Sequence, residues 1–442
     1  MNKVNKVLVL GAALIAMGAT ANAAVIDLNI YGASAQYTFW NAAAPGFLTS
    51  IRGCTATSQT PVGTKDEITV GTGCDGGVNT INLRYSSKAS YDGIRAVSNV
   101  DPANTCPGQP GQRPMVTAGG ATTTTCVDVH VGASDVAGST FDQQSHGLLL
   151  GPMGGAQTDR VFAGIPTAGL TAYNPIVVPF GFFANSNIKV STCSGGVHDG
   201  NLCTTGTAVA DCGAAITCAT NTISNITREQ VVQIYGGNAL AWTDFGASYS
   251  VTGDATASVV ACLRHAGSGT QATFDKVFFT GAAPNALAIN QNLLGPYIYF
   301  NDGAADEIKC VNGNTTLATT GSARGAIGYA DADQAVGVAG TSQNVVAIKY
   351  NGLFGRRNTI RNGAYDFFSN QWLYENPSKT PTASAQHVLI GQLNTFAANP
   401  ANLTTYLGAK APYWASQAEM NWNKASDTQY PAFVGAANPQ TP

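Results

Sequence analysis

Apolar residues recur at Val25, Ile26, Leu28 and Ile30, and the pattern breaks at Gly32. A period of two belongs to a strand with one face on a core. VIDLNIYGASAQYTF therefore predicts a strand, a Gly/Ser turn and a helix through Trp40. VDVHVGASDVAGSTF repeats the pattern, with a short strand stopping at Gly132-Ala133-Ser134-Asp135. NITREQVVQIYGG carries Thr227 and Gln230 at capping-box spacing, followed by a helical stripe of Val231, Val232, Ile234 and Tyr235. VVACLR reads as a buried strand, and SGTQATFDKVFF as a helix beginning at Ser268 or Gly269. AYDFFSNQWLYENP predicts a core strand bearing Trp372 and Tyr374. Strands alternate with helices, so the class is α/β.

Two stretches lack either period. Residues 100–125, rich in Pro, Gly and Thr, read as a loop. Residues 190–221 carry four cysteines and read as a disulfide-stapled surface insertion.

The start of the chain sets its compartment. Lys3 and Lys6 precede the apolar run VLVLGAALIAMG, and Ala21-Asn22-Ala23 offers an A-x-A cleavage site. Residues 1–23 therefore read as a secretory signal peptide, and the expected location is periplasmic or secreted. No later apolar run approaches the roughly 18–20 residues of a membrane helix, so no membrane insertion is expected. All ten cysteines lie beyond residue 23, an even number suited to disulfides in an oxidising compartment. Sequence proximity suggests Cys54–Cys74, Cys106–Cys126, two bridges within Cys193–Cys218, and Cys262–Cys310, although spacing alone leaves the connectivity open. No C-x-x-C pair supports a metal site. Charged residues are 11% of the chain, against roughly 25% in an average protein, and the net charge is −3. With no basic patch, nucleic acid is excluded as a partner.

Three strand ends finish in small polar turns: GASAQ, GASD and RHAGSGT. Ligands collect at the carboxyl ends of strands in α/β sheets, so the three turns could converge on one anion. Arg264 would supply a guanidinium, and the helix start at Ser268–Thr270 would supply N–H groups and a favourable dipole. The alternative for this stretch is an ordinary capped helix with a solvated arginine, and Asp135 could be only a turn residue. His265, beside the turn, reads as solvated and takes no role. There is no G-x-S-x-G elbow, H-E-x-x-H or P-loop, and five scattered histidines make no metal cluster, so an enzyme is not indicated.

YGASAQYTFW, GASD at 132–135, ITREQVVQIYGGNALAW at 226–242, RHAGSGTQATF at 264–274 and GAIGYAD at 325–331 occur in one order. That ordered set resembles the periplasmic phosphate-binding proteins of ABC phosphate importers. The resemblance implies a two-lobed periplasmic binding protein fold of type II, each lobe a sheet flanked by helices, with the ligand between lobes. Lobe 1 would hold residues 24–184 and 360–442, and lobe 2 residues 185–359, with hinge strands near Asn185 and Tyr350. The implied phosphate contacts are Gln36, Tyr37, Cys74, Asp135, Arg264, Ser268, Gly269 and Thr270. Inorganic phosphate, or a similar oxyanion, is then the ligand and an ABC transporter permease the partner, with no cofactor. Asp135 suits phosphate because that anion keeps a proton the carboxylate can accept, whereas sulfate would be repelled. Three positions depart from the pattern: Gln36 replaces a hydroxyl donor, Cys74 a serine, and Ala266 an acidic residue. A different class, a structural or adhesive surface protein built on the same fold with a weak or lost anion site, uses the 190–221 insertion as its contact surface.

Overall fold

The computed structural model describes residues 24–63, 65–100, 106–119, 123–150, 157–279, 298–313 and 322–435. The segment read as a signal peptide lies outside them. The chain is mixed α/β, as expected, around a 13-stranded sheet. Among the described residues no helix is long and apolar enough to cross a membrane.

The sheet has two halves. In one, Ala24–Ala33 pairs in parallel with Asn79–Lys88 through ten residue pairs, from Ala24↔Asn79 to Ala33↔Lys88. It also pairs in parallel with Val131–Ser134. In the other half, Val260–Arg264 lies between Ile298–Asn301 and Ala326–Asp331, all parallel. Such strands are covered on both faces, and VACLR is buried at every position. One long strand, Thr171–Asn185, joins the halves. Its first part, through Pro179, pairs with Phe368–Glu375. From Phe180 on it pairs with Ala326–Asp331 and, from Phe182, with Val345–Tyr350. A register shift between Tyr173 and Ile176 falls at Pro175, which has no N–H to give a ladder.

Local chemistry explains the helices. Tyr37–Ser50 carries Pro45 inside it, which cannot bond the Asn41 carbonyl. Gln59 Nε2 donates to that carbonyl instead, at 2.8 Å. Arg228–Tyr235 starts with the expected capping box of Thr227 and Gln230. Gly269–Phe278 starts where expected, with Ser268 as its N-cap.

The five bridges are Cys54–Cys74, Cys106–Cys126, Cys193–Cys212, Cys203–Cys218 and Cys262–Cys310. The sulfurs of Cys193, Cys203 and Cys212 cluster, but all are spent in bridges and offer no thiolate to a metal. The two aperiodic stretches hold more structure than their pattern shows. Gln112–Val116 and Thr124–Asp128 form a hairpin, because β-branched Thr and Val dominate its second strand. The insertion is edged by Ile188–Ser194 and Thr217–Thr222, which pair antiparallel and carry Cys193 opposite Cys218. Strand Phe368–Glu375 is in the core as expected: Tyr374 is buried, while Trp372 is only partly so.

Candidate oxyanion-binding site

Arg264 ends a fully buried strand, and its side chain is only 3% exposed. Nη2 donates to the Asp302 carbonyl at 3.0 Å, while Nε and Nη1 have no partner. A buried guanidinium with idle donors is costly unless an acceptor arrives. The chain then turns through His265–Ser268 into the helix Gly269–Phe278. Ser268 Oγ accepts the Gln271 N–H at 3.3 Å, so this hydroxyl serves the helix as a cap. Thr270 is buried beside the Asp135 carboxyl and favours its ionised form.

Gly269 must be glycine. A Cβ there would come within 2.1 Å of Ser90 Oγ and 2.6 Å of Asp135 Cβ. This close approach brings the Arg264 turn against the Asp135 turn. Asp135 follows the strand Val131–Ser134, is 2% exposed, and donates its N–H to Ser90 Oγ at 2.9 Å. Its Oδ1 has no partner. Burial, helped by the Asp331 charge, pushes this carboxyl up to about 8, against Arg264 and the hydrogen bonds from Ser90 and Thr270. The carboxyl is therefore protonated at neutral pH.

Two further acids face Arg264. Glu307 Oε1 accepts the Tyr329 N–H at 2.9 Å while Oε2 is buried without a partner, and burial raises its carboxyl to about 8. Asp331 is raised to about 6 by burial and then by Asp333, with Arg264 opposing. A second cation comes from the hairpin turn before Asp66. Lys65 Nζ lies 2.9 Å from where a Gly303 side chain would start, and burial, then Arg264, lowers its pKa.

Of the other residues singled out in the sequence, Gln36 lies against the Asp135 turn but spends its side chain there, while the Tyr37 N–H and Cys74 are engaged otherwise. Gln36 is buried, and its Nε2 donates to Ser134 O and Trp372 O, both at 3.1 Å, while Oε1 accepts from Trp40 at 2.9 Å. Its side chain braces three elements and has nothing left for a ligand. The Tyr37 N–H is turned to Ser34 O, and its ring meets Tyr85 edge-on at 6.2 Å. Cys74 does not reach the site. It bridges to Asn79, the residue paired with Ala24, at the opposite end of the Ala24–Ala33 strand. At about 3.3 Å per residue that strand spans roughly 30 Å.

Ser86, Ser87 and Ser90 take the position that Cys74 was expected to fill, at the carboxyl end of Asn79–Lys88 and the start of the helix Ser90–Val97. The Ser86 and Ser87 hydroxyls are buried without partners. The signal was the alternating run INLRYSS followed by SYDGIRAV, another strand ending in a small polar turn. His265, expected to be solvated, is 4% exposed, stacks on Phe162 at 5.9 Å and accepts the Gly267 N–H at 3.1 Å. The buried strand end carries it inside.

No protein-family model matches the chain, and no curated protein matches it in sequence. Solved structures do. One is a phosphate ABC transporter substrate-binding protein from Clostridium perfringens with bound phosphate: 12% identity, TM-score 0.45, covering 88% of this chain and 99% of that one. Another is an ABC-type phosphate transport receptor from Vibrio cholerae: 10% identity, TM-score 0.42, covering 86% of this chain and 98% of that one. Likenesses at this level leave the ligand to be argued from the side chains. Those side chains offer one fixed cation with idle donors, buried hydroxyls, a glycine turn at a helix start, and a carboxyl poised to share one proton. Such a set has the chemistry to receive a small tetrahedral oxyanion.

Proposed function

We propose that this exported protein captures inorganic phosphate in the periplasm and delivers it to an ABC transporter permease. The carrying observation is the buried pair of Arg264 and Asp135, each with polar atoms left unpartnered. Arg264 would bind two oxygens of the anion through Nη1 and the second hydrogen of Nη2, a parallel pair in the bidentate geometry a lysine lacks, with Nε left for a further acceptor. The Gly269 and Thr270 N–H groups and the helix dipole would take a third oxygen. Asp135 Oδ1 would meet the protonated oxygen. One proton lies between carboxyl and anion, whichever partner brings it.

The lobes are drawn where Thr171–Asn185 passes from Phe368–Glu375 to Ala326–Asp331, just after Pro179 and a few residues before the expected 184/185 boundary, and closure between them buries the ion. The work is capture, closure and release, with no bond made or broken. Anion titration of wild-type protein beside Arg264→Ala tests the reading, since the variant should lose every oxyanion together.

The exposed apolar residues Val197 and Val209, 95% and 72% exposed on the insertion, favour the second reading of a surface protein that binds through this segment. Such a protein with a lost site would ignore phosphate.

A further inference from the structure

The stretch Lys424–Tyr430 lies across both halves of the candidate site. On one side Asp427 Oδ2 accepts the Ala137 N–H at 2.8 Å, two residues beyond Asp135. On the other side stands buried Lys276, whose strongest charged neighbour is Asp427. Lys276 belongs to the helix that opens with the Ser268–Thr270 turn.

The stretch is anchored at both ends. Lys424 is buried, donates from Nζ to Phe368 O at 2.8 Å and sits 4.6 Å over the Phe368 ring. Tyr430 lies 5.2 Å from the Arg228 guanidinium, which also rests 5.1 Å from Phe278 and bonds Asp366 at 3.2 Å. Phe278 ends the same ligand-turn helix, and Asp366 precedes the strand Phe368–Glu375, which pairs with Val131–Ser134 before the Asp135 turn and with the strand that joins the halves.

We propose that Lys424–Tyr430 is a strap that ties the Asp135 turn to the Ser268–Thr270 helix and so holds the cleft closed over its anion. This rests on reading that cleft as a binding site. Asp427 is a positioning residue, acting through Ala137 and Lys276 without touching the anion. Loosening it lowers the closed population and raises every anion's dissociation constant by the same factor. That separates it from Asp135, whose loss changes the ratio between anions.

The test uses Asp427→Ala and Asp427→Asn in the full chain. Spin labels at introduced cysteines, Ser50→Cys and Thr341→Cys at two exposed positions, report the distance between halves without phosphate. Stopped-flow release of phosphate reports the closed lifetime. Asp427→Ala should lengthen and broaden the distance distribution and speed release about tenfold, with the phosphate-to-sulfate ratio unchanged. Asp427→Asn keeps an acceptor for Ala137 but loses the charge facing Lys276, and should fall between. If Asp427→Ala does not fold, Tyr430→Ala, which removes only the ring over Arg228, carries the same expectation. Distances and release rates equal to the parent's overturn the strap. A parent that binds no phosphate overturns the binding reading, and the distances still decide the strap.

Discussion

Raising the pH should drive sulfate out of this site and leave phosphate in it. Asp135 Oδ1 is buried without a partner, and its carboxyl titrates at about 8. Sulfate carries no proton in this range, so it needs the one on Asp135. Hydrogen phosphate brings its own and binds beside the ionised carboxylate. Sulfate affinity is therefore kept below a pH of about 8 and lost above it, about tenfold per unit. Between about pH 7 and about pH 9.5 the loss comes to about thirty-fold. Glu307, raised to about 8, ionises over the same range and draws on the Arg264 charge, which weakens both anions alike. The readout is accordingly the ratio of the two dissociation constants, from competition calorimetry at both pH values. Asp135→Asn places an amide that donates to any oxyanion. Its ratio should be flat with pH, and at the upper pH sulfate should gain about 1–3 kcal/mol relative to phosphate. A ratio that stays constant in the wild type, or shifts equally in Asp135→Asn, would refute the shared proton.

Arg264→Ala should weaken phosphate, arsenate and sulfate together by about 3 kcal/mol, measured by the same titrations. Gly269→Ala drives a methyl into Ser90 and Asp135, so it should abolish phosphate binding and cost about 1–3 kcal/mol in denaturant unfolding. Without ligand, thermal stability should fall as pH rises from about 5 to about 8.5. The folded chain holds protons on Asp135, Glu307 and Asp331, raised to about 8, about 8 and about 6, that the unfolded chain has already released. Asp135→Asn should flatten that fall in scanning calorimetry. Thr227→Ala removes a capping box and should cost about 1 kcal/mol in denaturant unfolding.

Features closed within a few residues were readable from the chain. The Thr227–Gln230 box and the Arg264–Thr270 turn are local patterns, and both formed where expected. Each bridge joins cysteines no more than 48 residues apart, so proximity nearly sufficed. Long-range partners were not readable. Gln36 is consumed by carbonyls 98 and 336 residues away, which no motif announces. Cys74 was misplaced because the hairpin of Ala56–Val62 and Asp66–Gly73 intervenes before the strand whose end carries Ser86, Ser87 and Ser90. Glu307, Asp331 and Lys65 reach Arg264 only through the packing of separate elements, and each is an unremarkable charge in sequence. The paired strands Gln112–Val116 and Thr124–Asp128 were hidden because the sequence around them is rich in Gly and Pro, although the Thr and Val of the second favour a strand.

Isothermal titration of the purified protein with phosphate, beside sulfate, near pH 9.5 tests the central claim most directly. Saturable binding of one phosphate per chain, with sulfate at least tenfold weaker, is the expected result. Protein that gives no binding heat at millimolar phosphate, and no thermal stabilisation by it, contradicts the claim and leaves the insertion-bearing surface protein as the better reading.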